Sequence, residues 1–278
     1  LVALAAEGTL TNVYRARPEG ATSDRPAAYA VKVLRAEWED DPRAIAMLRR
    51  EALVGRQVVH PHLISVLAAG TSESPRFIVM PWLTGATLAS CLARRPQLDP
   101  PVAFWIARQA AEALAALDAA GWMHGDVKPS NLFVSPEGHV TLLDLGFARR
   151  TGRTERPVER CVVGTCNYLA PETAVASMPV DIRSDLYSLG TVLFEMLAGR
   201  LPFVGNDPAE VIRQHRQARP PDLARFAPAL PDDAYRLVRA LLAKEPLRRP
   251  QSPAEVVERL AALEIATFAQ RSASGGTP

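Results

Sequence analysis

Sulfur is scarce in this chain of 278 residues, and no stretch stays apolar long enough to cross a bilayer. The three cysteines, Cys91, Cys161 and Cys166, cannot all pair internally, and a disulfide scaffold is not expected in a chain of this length. A reducing, cytoplasmic setting is the simpler expectation. Cys161 and Cys166 flank one short segment and read as two reduced thiols, with a redox-sensitive pair as the alternative. No second ligand pair has the spacing of a zinc site. Charge of one sign is also lacking: a formal net charge of +2 demands neither nucleic acid nor a membrane surface as partner. There is no internal repeat and no charged start followed by a cleavable apolar stretch. The chain opens on Leu1 rather than methionine, so it reads as a piece of a longer protein.

What is present is an ordinary globular composition, 48% hydrophobic and broken throughout by charges, with enough residues for one large or two modest domains. "LVALAAEGTLTNVYRAR" predicts strand, turn and strand, and Ala28 to Leu34 adds another strand. Between Asp41 and Val59 the apolar residues Ile45, Leu48, Ala52 and Val59 recur at helical spacing. "HPHLISVLAAG" and "RFIVMPW" return to runs of strand character. Pro81 and "TGATL" predict a lobe boundary around Pro81 to Gly85. Beyond it the pattern turns helical: "PVAFWIARQAAEALAALDAAG" stops at Gly121, and "SDLYSLGTVLFEMLAG" is apolar enough for the centre of a larger lobe. Helical patterns follow at 209–217, 232–243 and 253–265, and the tail "RSASGGTP" has linker composition.

Two short polar loops between apolar runs are candidates for chemistry. "HGDVKPSNLF" gathers Asp126, Lys128 and Asn131, and "LLDLGFA" presents Asp144 before Gly146. Two acids and an amide at one edge of a scaffold could hold Mg²⁺ against phosphates, because that ion prefers such oxygens. A lone Asp-Gly is more often a plain polar turn.

Taken together, these stretches resemble the protein kinase family over nearly the whole chain. The resemblance implies an α+β, bilobal protein-kinase-like fold, with a small β-rich N-lobe carrying one helix and a larger, mainly helical C-lobe. The expected partition is 1–83, 84–266 and a linker-like tail at 267–278. "AVK" places Lys32 on the α- and β-phosphates of ATP, with Glu51 of "LRREA" as its ion-pair partner. Asp126 would orient the substrate hydroxyl and accept its proton, Lys128 would neutralise the γ-phosphoryl group, and Asn131 and Asp144 would bind Mg²⁺. "GTCNYLAPE" resembles the end of an activation segment, where Thr165 would support the catalytic loop. Asp185 matches a buried aspartate on the catalytic-loop backbone, and Arg249 the arginine that pairs with Glu172. "FIVMPWLTG" resembles the hinge: Met80 as gatekeeper, then the Pro81 carbonyl and Leu83 amide toward adenine, with Val13, Ala30 and Phe133 around the ring.

Two departures stand out. In "AEGTLTNV" only Gly8 survives of the three glycines of the phosphate loop, with Ala6 and Thr11 at the other two places, so weaker ATP binding is expected. Gly125 stands where most of the family has an arginine that meets an activation-loop phosphate. The segment after Asp144 offers Thr151, Thr154 and Thr165 and carries Arg149, Arg150, Arg153, Arg156 and Arg160. Activity without activation-loop phosphorylation is therefore expected, and the arginines read as a solvated basic loop or a contact for an acidic partner. The reading is a serine/threonine protein kinase of the bacterial branch, using ATP and Mg²⁺ on protein hydroxyls. The cytoplasmic domain of a membrane-anchored protein is one setting. The alternatives are a pseudokinase or nucleotide-binding signalling scaffold, and a small-molecule phosphotransferase, which "HGD" also suits but Lys128 and "GTCNYLAPE" do not.

Overall fold

The computed structural model describes residues 1–21, 26–151, 165–174 and 180–270. Arg153, Thr154, Arg156, Arg160, Cys161, the Thr165 side chain and the tail from 271 onward lie outside the described residues. The chain divides into two compact units, Leu1–Thr84 with Leu143–Ala148, and Gly85–Leu142 with the residues from Arg149 onward.

In the first unit five antiparallel strands form one sheet in the order β1-β2-β3-β5-β4. They are β1 (Ala3–Glu7), β2 (Thr11–Ala16), β3 (Tyr29–Leu34), β4 (Ala68–Gly70) and β5 (Phe77–Pro81). Register places Val13 opposite Lys32, and Ala30 opposite Met80. Side chains alternate along a strand, so Ala30, Lys32 and Leu34 share a face. Ala30 and Leu34 are buried, and Lys32 on the same face needs a counter-charge. It comes from α1 (Pro42–Gln57), whose first turn is capped by the Asp41 carboxylate, accepting from the amides of Arg43 and Ala44 at 2.8 and 2.9 Å. The buried positions Ala44, Leu48, Glu51, Ala52 and Gly55 keep the helical period.

Two sequence expectations need correction here. Val59 lies outside the helix and is 80% exposed, because the backbone becomes extended at Val58 and the period ends with it. "HPHLISVLAAG" contributes strand only at Ala68–Gly70. Its apolar residues Leu63, Ile64 and Val66 are buried all the same. The Val66 amide bonds the Gly55 carbonyl, and a Cβ at Gly55 would lie 2.7 Å from the Val66 side chain. The run is apolar because it packs on α1, not because it joins the ladder.

The second unit opens with β6 (Ala86–Thr87) and α2 (Leu88–Arg94), a helix absent from the sequence reading and capped by Thr87, whose hydroxyl accepts from the Ser90 amide. Next come α3 (Pro100–Ala119), β7 (Trp122–Met123), β8 (Leu132–Val134), β9 (Val140–Leu142) and β10 (Arg149–Arg150). β6, β8 and β9 form a three-stranded sheet, and β7 pairs with β10. The unit continues through α4 (Ile182–Ala198), α5 (Pro208–Gln217), α6 (Asp232–Leu241) and α7 (Pro253–Thr267), followed by a turn at Phe268–Gln270. α4 is buried over nearly its whole length and stops at Gly199, whose φ of +70° suits a residue without Cβ. Cys91 and Cys166 are buried. No helix among the described residues is long and apolar enough to cross a membrane. The fold is α+β, a β-sheet N-lobe and a helical C-lobe.

Candidate active site

In the first unit Lys32 lies between two carboxylates. Its Nζ is 2.7 Å from Glu51 Oε2 and 3.3 Å from Asp144 Oδ1. Burial by itself pulls the lysine down, but the charges of Asp144 and Glu51 outweigh it and hold the ammonium protonated. Burial pushes Glu51 up to about 7 against the pull of Lys32, with Asp144 adding to the rise.

Asp144 has φ +62°, the one positive value at a non-glycine among the described residues. Aspartate tolerates it by bonding locally: its carboxylate accepts from the Gly146 amide at 3.4 Å. Arg50 of α1 donates to the Gly146 carbonyl at 3.3 Å, fastening this turn to the helix that carries Glu51. The sequence reading missed Arg50, because nothing in local spacing links residue 50 to residue 146.

The loop of Gly8 is pinned as well as short of glycine. The Gly8 amide bonds the Thr11 carbonyl at 2.9 Å, Arg35 donates to the Gly8 carbonyl, and Trp38 Nε1 to that of Thr9, both at 3.0 Å. Pro81 faces Tyr29 across the ladder, the Trp82 amide bonds the Ala28 carbonyl, and Leu83 follows, half-buried. Phe133 stands in β8 of the second unit, opposite Thr141.

In the second unit the loop from His124 to Asn131 is built by three local rules. Gly125 takes φ +81°, which a side chain would oppose. Pro129 keeps Lys128 extended, at φ −161° and ψ 163°. The turn at Pro129–Asn131 then brings Asn131 back onto Asp126. Asn131 Nδ2 donates to the Asp126 carbonyl at 2.8 Å and to its Oδ2 at 2.9 Å, and Lys128 Nζ is 2.8 Å from the same Oδ2. The asparagine amide nitrogen is thereby engaged twice on Asp126.

Two buried acids brace this loop and the segment after it. Asp185 accepts from the amides of His124 and Gly125 at 2.6 and 2.8 Å, and His124 Nδ1 accepts from the Asp126 amide at 3.1 Å. Glu172 receives Arg249 in a two-pronged pair of 2.7 and 2.8 Å, and also the Ser184 hydroxyl. The other three guanidinium N–H groups of Arg249 bond the carbonyls of Ala243, Arg183 and Lys244, so all five donors are satisfied.

Among the described residues no three of His, Cys, Asp and Glu gather to hold a metal ion unaided. Each unit by itself offers an oxygen of the kind a hard cation takes, the Asp144 carboxylate in the first and the Asn131 amide oxygen in the second.

Comparison with known proteins identifies the family. The family model described as protein kinase domain matches residues 6–260. The chain is 32% identical over 242 residues to the serine/threonine-protein kinase PrkC of Bacillus subtilis, covering 87% of this chain and 37% of that protein. It is 39% identical over 235 residues to the serine/threonine-protein kinase PknB of Mycolicibacterium smegmatis, covering 82% and 37%. A probable serine/threonine-protein kinase of Clostridium perfringens is 31% identical over 251 residues, covering 90% and 36%. The chain thus spans little more than a third of the curated relatives it matches. With this match over nearly all its length, the chain belongs to the protein kinase family.

Proposed function

We propose that this chain transfers the γ-phosphoryl group of ATP to serine or threonine hydroxyls of a protein and does so without activation-loop phosphorylation. The observation that carries the reading is the Asp126 carboxylate, buried and held by Lys128 and Asn131 within 3 Å. In the proposed reaction the acceptor oxygen attacks the γ-phosphorus, its bond to the β-γ bridging oxygen breaks, and ADP leaves. Asp126 orients the hydroxyl and takes its proton. Lys128 lies beside that carboxylate, positioned for the negative oxygens of the group in flight. Lys32, kept protonated and steered by Glu51, meets the α- and β-phosphates. Asp144 and Asn131 supply oxygens to Mg²⁺, which neutralises phosphate charge when bound. Val13, Ala30, Met80 and Phe133 contact adenine, whose edge meets the Pro81 carbonyl and the Leu83 amide. Gly8 approaches the phosphates, and Thr165 supports the loop of Asp126.

Independence from phosphorylation rests on Gly125. The loop reaches its conformation on a glycine and on the Asp185 carboxylate, and no cation stands at position 125 to require a phosphate. The relatives are named serine/threonine-protein kinases, and the paired Glu172 and Arg249 support a peptide acceptor over a small molecule. A nucleotide-binding scaffold without turnover is the second reading, favoured by the pinned loop of Gly8, where Ala6 and Thr11 replace glycines.

The deciding experiment supplies labelled ATP, Mg²⁺ and a basic acceptor protein to the chain and to Asp126→Asn. The expected outcome is label on serine or threonine that falls at least about a hundredfold in the variant, as loss of an acid-base group demands. Phosphatase treatment beforehand should leave the wild-type rate unchanged. Bound ATP with no transfer by the wild type would instead establish the scaffold.

A further inference from the structure

α5 buries two residues on the same face, Val211 and His215. A buried histidine on an apolar face is usually core, yet both ring nitrogens of His215 are engaged, and one is bonded to the segment that follows Thr165. Nε2 lies 2.9 Å from the Asn167 carbonyl, and Nδ1 lies 2.9 Å from the Tyr187 hydroxyl. A carbonyl only accepts, so Nε2 carries the proton, Nδ1 is bare, and the hydroxyl donates to it. Lys244 Nζ donates in turn to the Tyr187 oxygen at 3.2 Å, and sits 4.1 Å from the centre of the Phe203 ring. The Phe203 ring meets His215 edge-on at 4.9 Å between centroids. Burial, with Lys244 adding to it, brings His215 down to about 4, so the imidazole is neutral and its donor direction is fixed at neutral pH. The result is a one-way chain of donors, Lys244 to Tyr187 to His215 to the backbone of residue 167.

That backbone is fastened at its next residue by α4. Ser188 donates to the Tyr168 carbonyl at 2.7 Å, and the Tyr168 hydroxyl donates to Glu195 at 2.7 Å. His215 is the point at which α5 takes hold of the same strip.

We propose that His215 is a positioning residue for the protein substrate: by holding the Asn167 carbonyl it fixes Cys166–Ala170 in the conformation that receives the acceptor peptide. This rests on the kinase reading. It separates His215 from the groups that handle nucleotide, and therefore predicts an effect on one substrate only.

The test compares the wild type, His215→Ala, His215→Gln and Tyr187→Phe. Glutamine can return an N–H to the Asn167 carbonyl, and phenylalanine removes a single hydroxyl. Transfer is measured against acceptor protein and against ATP, and amide hydrogen exchange at 166–170 is followed in the same preparations. The alanine variant should raise KM for the acceptor about tenfold, the worth of one buried hydrogen bond, and speed exchange at 166–170. Its KM for ATP should stay within about twofold of wild type, and glutamine should recover most of the loss. Equal rises in both KM values, a fall in kcat at unchanged KM, or a glutamine variant no better than alanine would overturn the proposal. Should the alanine variant not fold, Tyr187→Phe carries the same comparison, with a smaller rise in acceptor KM. A wild type that transfers phosphate to no acceptor refutes the kinase reading, and exchange then decides alone: unchanged rates at 166–170 would show that His215 does not hold the segment.

Discussion

Gly125 shows how much one residue can settle. The backbone there turns through φ +81° while its amide and that of His124 are taken by Asp185, so the loop of Asp126 is held by a glycine and a carboxylate. An L-residue at this φ is strained by roughly 1 kcal/mol. Gly125→Ala should therefore lower the unfolding free energy by about that amount, seen as a lower denaturant midpoint at unchanged slope m, and an unchanged midpoint would show that the loop relaxes. Lys32 makes the same point through charge. It faces the covered side of β3, where an unpaired ammonium could not stay, and Glu51 and Asp144 keep it protonated.

The brace between the turn at Pro171–Ala174 and the end of the domain is a matter of elements. Arg249 has a side chain with no exposed surface, and its five N–H groups meet Glu172 and three carbonyls. Removing it leaves the buried Glu172 carboxylate without a counter-charge, with only the Ser184 hydroxyl still donating to it. Arg249→Ala should cost about 3–5 kcal/mol in equilibrium unfolding. Arg249→Lys should recover less than half of that, because an ammonium cannot reproduce the planar fork. Full recovery by lysine would mean that charge alone fastens Glu172.

For the whole molecule, ligand linkage is the appropriate measure. If ATP with Mg²⁺ binds the folded chain, a concentration one hundred times Kd raises stability by about 2.7 kcal/mol, visible as a higher Tm. Chelating Mg²⁺ should reduce that rise in the wild type. In Asp144→Asn the Mg²⁺-dependent part should vanish while the rise with ATP alone persists. A magnesium effect undiminished in that variant would remove Asp144 from the ion's ligands. The chain spans little more than a third of PrkC and PknB, so these measurements concern the domain and not an entire relative.

Strand, helix and turn were largely readable along the chain because the signals are local. Apolar spacing marked α1, α3 and α4, glycines marked the ends of α3 and α4, and the loop from His124 to Asn131 announced itself by putting an acid, a lysine and an amide within six positions. The misreadings occurred where burial, and not backbone pairing, explained an apolar run, as at Leu63 to Val66, and where a helix as short as α2 gave no period to count. Side chains that reach distant backbone carbonyls were out of reach for a different reason. Arg50 on the Gly146 carbonyl and His215 on the Asn167 carbonyl each join residues 96 and 48 positions apart. Such pairings leave no trace in local periodicity, because only packing of the folded chain brings a side chain to a distant backbone oxygen and removes the water that would otherwise serve it.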